Sequence, residues 1–178
     1  MIPGKFDPTA LFGRVMIFID GNYLFESCKQ AGYAAQKTDF VSFFGKLTRD
    51  NRYLVRAYFY DSYVGSEKDP RWQLHQRFRE LNHCETHLGG GHNAGGKQIQ
   101  KGVDVKLAID LVRHAANSNY DVAILCSGDA DFIPAVRVVK GFGKQVELFY
   151  FNGRTANELI EACDVRIQCE KGFGFNAA

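Results

Sequence analysis

The feature that most constrains the fold is the segment 122–132, VAILCSGDADF, in which an uncharged apolar run leads into two aspartates. A continuous apolar run bounded by glycine predicts a strand buried on both faces of a parallel sheet. Apolar residues then recur at spacings of three and four as far as Val139, which predicts a helix. Asp129 and Asp131 therefore lie where a strand ends and a helix begins. In open α/β sheets that edge is where ligands bind.

A second all-apolar strand is predicted at residues 15–19, and it ends in Asp20, Gly21 and Asn22. Aspartate followed by glycine often forms only a turn. Asn22 has two possible roles: it either caps the following helix or lies beside Asp20 and contacts a substrate. Two buried strands that both end in carboxylates favour a shared site over two unrelated turns.

The rest of the chain alternates between strand and helix patterns. Further strands are predicted at 53–60, 146–151 and 165–167, and helices at 22–32, 39–48, 70–81, 103–116 and 156–162. This alternation predicts an α/β fold, a single three-layer domain with a mainly parallel central sheet of the Rossmann-like type. The domain is expected to span residues 14–170, after a lead-in at 1–13 and before a frayed C-terminal tail at 171–178.

Composition narrows the functional classes. The net charge of +2 creates no strong field that would steer the chain to nucleic acid. The five cysteines are odd in number and irregularly spaced, which favours reduced thiols and a cytoplasmic location. The apolar run at 15–19 is too short to span a membrane or to act as a targeting signal. Whether the chain forms a homo-oligomer stays open at this level.

A fourth carboxylate, Asp104, begins the helix predicted at 103–116. An acidic residue in the first turn also stabilises a helix through its dipole, so this position has a purely structural explanation as well. Asp110 lies six positions later, about 240° around the helix, and therefore points elsewhere. We expect Asp110 to have a structural role.

Four aspartates at one edge of a sheet repel one another unless a cation or a proton lies between them. Their hard oxygen atoms suit Mg²⁺ or Mn²⁺, which activate water and stabilise in-line displacement at phosphorus. The expected ligands are Asp20, Asp104, Asp129 and Asp131. Ser127 either hydrogen-bonds a carboxylate of this group or closes the turn after the strand.

A glycine-rich segment at 89–96, GGGHNAGG, precedes Lys101 and is predicted to be a flexible loop beside the site. Backbone amides and lysines near carboxylates would suit a phosphate chain. Lys101 is the strongest candidate for such a contact, whereas Lys97 and Lys106 fit a solvated surface better.

Two other clusters each have a structural and a functional interpretation. Three arginines in the 70–81 helix would form either the wall of a groove or a solvated face. Three aromatic residues of the 53–60 strand would either stack on bases or fill the core. These residues are Arg71, Arg77, Arg79, Tyr58, Phe59 and Tyr60. A zinc site of His83, Cys84, His87 and His92 is disfavoured, because in a strand Cys84 and His87 would face opposite sides.

Three ordered motifs resemble a known family: FIDGN at 18–22, KGVDVKLAID at 101–110 and SGDADF at 127–132. They resemble NYN domains of the PIN-like ribonuclease superfamily, within its LabA-like branch, and the resemblance covers roughly residues 14–168. It implies a PIN-like parallel sheet of at least five strands and a metal-dependent ribonuclease site. In that site Asp20, Asp104, Asp129 and Asp131 take the acidic positions, and Asn22 lies beside the first.

The leading hypothesis is therefore a Mg²⁺- or Mn²⁺-dependent ribonuclease that acts on single-stranded RNA. Asp20, Asp104, Asp129 and Asp131 would be its catalytic and metal-binding residues, with Asn22, Lys101 and Ser127 contacting substrate. One alternative is a non-catalytic RNA-binding or protein-interaction module. A weaker alternative is a haloacid-dehalogenase-type phosphatase, which would need an aspartate where this chain has Phe18.

Overall fold

The central sheet has six strands, all of them parallel. The computed structural model describes residues 13–49, 52–62, 66–89, 92–94, 97–99 and 102–177, with the backbone alone at 92–94 and 97–99. The strands are β1 (Arg14–Asp20), β2 (Tyr53–Asp61), β3 (Cys84–Leu88), β4 (His92–Ala94), β5 (Lys97–Ile99), β6 (Val122–Cys126), β7 (Gln145–Tyr150) and β8 (Val165–Gln168). The sheet order is β3-β2-β1-β6-β7-β8.

Helices cover both faces of the sheet, which gives three layers. They are α1 (Gly21–Gln30), α2 (Phe40–Leu47), α3 (Pro70–Arg79), α4 (Val103–Ala116), α5 (Ile133–Gly141) and α6 (Asn157–Ala162). The first three pack with one hydrophobic cluster and the last three with the other. The predicted α/β domain with a mainly parallel sheet is confirmed. In the described part of the chain, each helix is too short or too polar to cross a bilayer.

Strand β1 shows why the central strands are mainly apolar. Val15, Ile17 and Ile19 belong to the cluster beneath α1–α3, whereas Met16 and Phe18 belong to the cluster beneath α4–α6. Successive side chains of a strand point to opposite faces, so a strand with helices on both sides buries apolar side chains on both of its faces.

The strand order reverses at the centre of the sheet. From β1 the chain builds outward through β2 to β3, and β6 then pairs with the other side of β1 before β7 and β8 follow. Ile19 of β1 pairs with Cys126 of β6, so the two strands end side by side. A crevice forms outside the carboxyl ends of strands at such a reversal, and ligands of open α/β sheets bind there.

The glycine-rich segment contains a strand where only a loop was predicted, because His92–Ala94 pairs antiparallel with Lys97–Ile99. Residues 90–91 and 95–96 of the predicted loop lie outside the described part of the chain. Two short segments separated by a pair of glycines is a typical hairpin pattern. The high glycine content obscured that signal.

Residues 171–177 are packed, whereas a frayed tail was expected at 171–178; residue 178 lies outside the described part of the chain. Phe175 is buried, with its ring 5.2 Å from that of Phe43, and Phe173 packs against the same cluster. The carbonyl of Asn176 accepts a hydrogen bond from Ala34 N at 2.9 Å. Two phenylalanines among small residues supply enough apolar area to fix the segment on α2, and the periodicity patterns do not detect so short an element.

Candidate functional site

Asp20 is both the last residue of β1 and the N-cap of α1. Its Oδ1 accepts a hydrogen bond from Tyr23 N at 3.0 Å, and its Oδ2 accepts one from Ser127 Oγ at 3.1 Å. Asp20 can therefore cap the helix and also serve in a site, because the cap and the hydrogen bond from Ser127 together use one lone pair on each carboxylate oxygen and leave others available.

Asp129 repeats this arrangement after β6. It caps a short 3-10 helix at 130–132, and its Oδ1 accepts a hydrogen bond from Asp131 N at 2.9 Å. The buried hydroxyl of Ser127 donates to Asp20 and accepts from Asp129 N at 3.3 Å. Ser127 therefore connects the ends of the two central strands, as well as closing the turn.

A cleft of about 180 Å³ lies at this edge of the sheet. It brings together Asp20, Asp104, Asp129 and the exposed Asn22, which come from three separate segments of the chain. Tyr60, Asp61, Ser62, Gly102 and Val103 complete its lining. Asp131 is exposed and does not line the cleft, although its charge acts on Asp104. Lys101 lies outside the described residues.

The electrostatics of the cleft follow from crowded carboxylates. The pKa of Asp20 is raised to about 6, chiefly by burial and in addition by the charges of Asp104 and Asp61, while the hydrogen bonds from Tyr23 N and Ser127 oppose the shift. Burial also raises the pKa of Asp104, with Asp129 and Asp131 contributing by repulsion. Asp104 thus makes Asp20 harder to ionise, and Asp129 and Asp131 have the same effect on Asp104.

Lowering the pH should stabilise the metal-free protein through Asp20. Its folded-state pKa of about 6 lies above the unfolded value of about 3.9, so the folded state binds the proton more tightly. From about pH 7 to about pH 5 this group should add about 1 kcal/mol to the free energy of unfolding. Urea unfolding in EDTA measures it, with Asp20→Asn as the reference. Parallel pH profiles for the two proteins would contradict the expected shift.

Asp61 is a site residue that the sequence reading missed. It ends β2, lines the cleft and is buried, with Oδ2 2.9 Å from Arg71 Nε and 2.7 Å from His75 Nε2. Burial alone would raise the pKa of Asp61, but hydrogen bonds and charges from His75 and Arg71 outweigh it and lower the pKa. A strand that runs into an aspartate was the available signal. Arg71 is therefore a partner of a buried carboxylate rather than part of a solvated face.

Asp110 has the structural role expected for it. Its carboxylate is buried, accepts a hydrogen bond from Tyr60 Oη at 3.0 Å, and pairs with Lys106 Nζ at 2.6 Å and Arg113 Nη2 at 2.9 Å. These contacts tie α4 to β2. Because Asp104 lies in the first turn of α4 and Tyr60 lines the cleft, they also fix Asp104 relative to the strand ends.

Two glycines adjoin the aspartates because no side chain fits there. A Cβ added at Gly128 would overlap the carbonyl oxygen of Arg154 and the ring of Tyr23, and one at Gly21 would overlap the ring of Phe59. The Asp-Gly and Gly-Asp pairs are therefore packing requirements. They hold the backbone of both strand ends close to neighbouring segments.

Gly128→Ala is expected to lower the free energy of unfolding by about 1–3 kcal/mol, because a backbone carbonyl cannot give way as a flexible side chain can. Urea unfolding followed by circular dichroism measures the loss. Gly45→Ala is the matched control: it lies in α2 with nothing within 4 Å of the added Cβ, so it should be neutral or stabilise by up to about 1 kcal/mol. Equal stability of the two variants would contradict this explanation of Gly128.

The carboxylates suit a hydrated divalent ion better than a dehydrated one. Among the described residues, no three side chains of histidine, cysteine, aspartate or glutamate are close enough to hold one metal ion together. Mg²⁺ commonly binds through one or two carboxylates and keeps several waters. Two of the three aspartates that line the cleft would suffice for such an ion, and a cation there would weaken the charge repulsion that adds to the effect of burial on the pKa of Asp20.

The zinc alternative fails on geometry within the described residues. Cys84 packs with the cluster on the α1–α3 side, whereas His87 stacks on Tyr58, which belongs to the opposite cluster. Cys84 and His87 thus lie on opposite faces of β3, as their spacing predicted.

Comparisons with known proteins agree with this architecture. A family model described as the NYN domain matches residues 14–170. The Low amplitude and bright protein LabA of Synechococcus elongatus is 27% identical over 161 residues, which cover 85% of this chain and 81% of that protein. A protein of unknown function from Vibrio parahaemolyticus has the same fold, with a TM-score of 0.73 at 19% identity over 93% of this chain and 97% of its own. Since the family model spans almost the whole chain, the protein belongs to the NYN domain family.

Proposed function

We propose that this protein is a Mg²⁺- or Mn²⁺-dependent ribonuclease that hydrolyses phosphodiester bonds of single-stranded RNA. The observation that carries the proposal is the convergence of Asp20, Asp104 and Asp129 in one cleft at the reversal of strand order. Membership of the NYN family, within the PIN-like nuclease superfamily, supports a nuclease or RNA-related function.

Asp20, Asp104 and Asp129 all line the cleft, and one or two of them would hold the ion while the remaining carboxylate adds negative charge. Asp131 acts at longer range, through its effect on Asp104. A bound divalent ion would neutralise charge on the phosphate and activate water. The open, polar lining of the cleft leaves room for waters and a phosphate group beside the ion.

Other residues of the cleft would position the substrate. Asn22 is exposed in the first turn of α1, and its amide can donate to a phosphate or ribose oxygen. Ser127 keeps Asp20 and the turn before Asp129 in register through its two hydrogen bonds. Lys101, next to Gly102 of the cleft, is retained as a proposed phosphate contact from its place in the sequence.

The phosphatase alternative conflicts with the packing of β1. The position that would need a nucleophilic aspartate holds Phe18, which is fully buried and lies 5.5 Å from the ring of Tyr58. A non-catalytic RNA-binding module shares the same fold, so only an activity measurement separates it from the proposed enzyme.

The test is a cleavage time course on fluorescently labelled single-stranded RNA with Mn²⁺, with Mg²⁺ and with EDTA. We expect cleavage with either ion, none in EDTA, and slower cleavage of the same sequence as a duplex. The phosphatase reading predicts hydrolysis of p-nitrophenyl phosphate instead. RNA binding without cleavage under all conditions would reject the enzyme in favour of the binding module.

We also propose a cytoplasmic location, for which the support is chemical. All five cysteines are free thiols, and three of them are buried, as expected for a protein folded under reducing conditions. Self-association is left to a sedimentation measurement on the purified chain.

A further inference from the structure

A row of aromatic rings crosses the sheet and ends at its edge. Phe18 of β1 stacks on Tyr58 of β2 at 5.5 Å, and both Tyr58 and Tyr60 stack on His87 of β3, at 5.7 Å and 5.1 Å between ring centroids. Within the described part of the sheet, β3 is the outermost strand on this side. His87 is therefore the terminal ring of the row.

Unlike the buried rings behind it, His87 reaches a second cleft. Its side chain is 25% exposed and lines a cleft of about 420 Å³ together with Leu88, Gly89 and Lys106. Gly102 and Val103 line both this cleft and the acidic one. The two clefts thus adjoin across the start of α4 and form one path along the surface.

Polar groups of this second cleft are suited to a nucleotide. Lys106 Nζ pairs with Asp110 Oδ2 at 2.6 Å, yet its side chain is 46% exposed, so it can also reach a phosphate oxygen. A planar ring and an ammonium match a base and a phosphate.

We propose that the second cleft is a nucleotide subsite, in which a base of single-stranded RNA stacks on His87 and the adjoining phosphate contacts Lys106. This inference rests on the proposed ribonuclease function and adds where the strand runs. The RNA leaves the acidic cleft past Gly102 and continues to the outer edge of the sheet. A stacked base is read through its π-face, so the subsite should tolerate any base.

Binding of a short fluorescein-labelled RNA, measured by anisotropy in EDTA, tests the stacking. We expect His87→Ala to bind about tenfold more weakly and His87→Phe within about twofold of wild type, because the phenyl ring preserves the stack. An oligonucleotide of the same length with abasic internal residues serves as the second probe, so that the protein variant and the probe variant together form a double-mutant cycle. On that probe wild type and His87→Ala should bind equally, whereas an unchanged difference would overturn the base contact.

Lys106→Gln tests the phosphate contact at an exposed residue, and Arg113 and Tyr60 still contact Asp110 in this variant. Its affinity should fall on both probes, and the salt dependence of binding should decrease by about one phosphate contact. Lys140→Gln is the matched control, because Lys140 is also a surface lysine paired with a single aspartate, Asp164. Equal effects of the two substitutions would overturn the assignment of Lys106.

The two proposals fail separately. If the wild type cleaves RNA but His87→Ala binds and cleaves like it, the subsite is rejected and the ribonuclease stands. If no cleavage occurs yet binding depends on His87 as described, the ribonuclease is rejected and the base contact stands. With both correct, His87→Ala should raise KM about tenfold and leave kcat within about twofold. Melting curves of each variant verify that it is folded.

Discussion

Asp129→Asn is expected to reduce Mn²⁺-dependent RNA cleavage by at least about a hundredfold while the domain stays folded. Groups that only orient a metal ligand commonly affect affinity or activity by about 10- to 100-fold, and a direct ligand should matter at least as much. Asn keeps the shape and one carbonyl oxygen of the side chain but loses the anionic oxygen that Mg²⁺ or Mn²⁺ favours. Metal affinity and water activation should fall together.

Stability is the property that separates a functional role of Asp129 from a capping role. Its Oδ1 caps the 3-10 helix through the hydrogen bond from Asp131 N, and asparagine caps about as well as aspartate. Removing a charge also weakens the repulsion that raises the pKa of Asp104. The melting temperature of the variant in EDTA should therefore equal or exceed that of wild type.

The experiment pairs melting curves, with and without Mn²⁺, with a cleavage time course. Mn²⁺ should raise the melting temperature of wild type more than that of Asp129→Asn. Asp164→Asn, a surface carboxylate paired with Lys140 away from the cleft, serves as the control for loss of one negative charge. Undiminished cleavage by Asp129→Asn would reject the metal-binding role.

Much of the fold could be predicted from sequence because the two central strands are marked by apolar runs. Strands covered by helices on both faces are mainly apolar, so β1 and β6 stand out, and the residues that end them are found at once. The outer strand β3, with the sequence CETHL, has no such run and was not among the predicted strands. Parallel strands place those ends at one edge, so Asp20 and Asp129 could be predicted to share a cleft. This inference needs only the direction of the strands.

The exact membership of the cleft depends on turns that sequence patterns do not resolve. Asp131 is directed to solvent because the segment after Asp129 forms a 3-10 turn rather than continuing directly as the helix. Asp61 is less clearly marked by its sequence, because the strand before it is rich in aromatic residues rather than a plain aliphatic run. Its partners, Arg71 and His75, lie on α3, and their contact with Asp61 depends on how α3 packs against β2. Local sequence patterns do not report such tertiary packing.

The largest expected effect on stability concerns a buried ion pair far from these turns. Arg52 and Glu147 have side chains only 2% and 0% exposed, and they form two contacts, Nη1–Oε1 at 2.8 Å and Nη2–Oε2 at 3.1 Å. Gln145 Nε2 donates to Oε1 of Glu147 at 2.7 Å, and Arg52 Nη2 donates to the carbonyl of Leu47 at 2.9 Å. The pair thus joins the segment before β2 to the interior of β7.

Arg52→Met is expected to lower the free energy of unfolding by about 3–5 kcal/mol, because Glu147 would remain buried with its main counter-charge removed. Arg49 cannot substitute fully, since its guanidinium lies 4.0 Å from Glu147 and its side chain is largely exposed. Urea unfolding measures the loss. Arg56→Met is the control, because Arg56 pairs with Glu85 at the surface and such pairs contribute about 0–1 kcal/mol.

The double variant Arg52→Met/Glu147→Met distinguishes the cause. If the cost of the single substitution is an uncompensated charge, replacing both partners by apolar side chains should recover most of the lost stability, since buried pairs often contribute little net free energy. If the cost comes from lost packing instead, the double variant should be no more stable than Arg52→Met. Because Arg52 precedes β2 and Glu147 lies within β7, neither residue is at the carboxyl end of a strand. Both variants, where folded, should therefore retain metal-dependent cleavage. A folded variant that lost cleavage would show that this pair also positions the site.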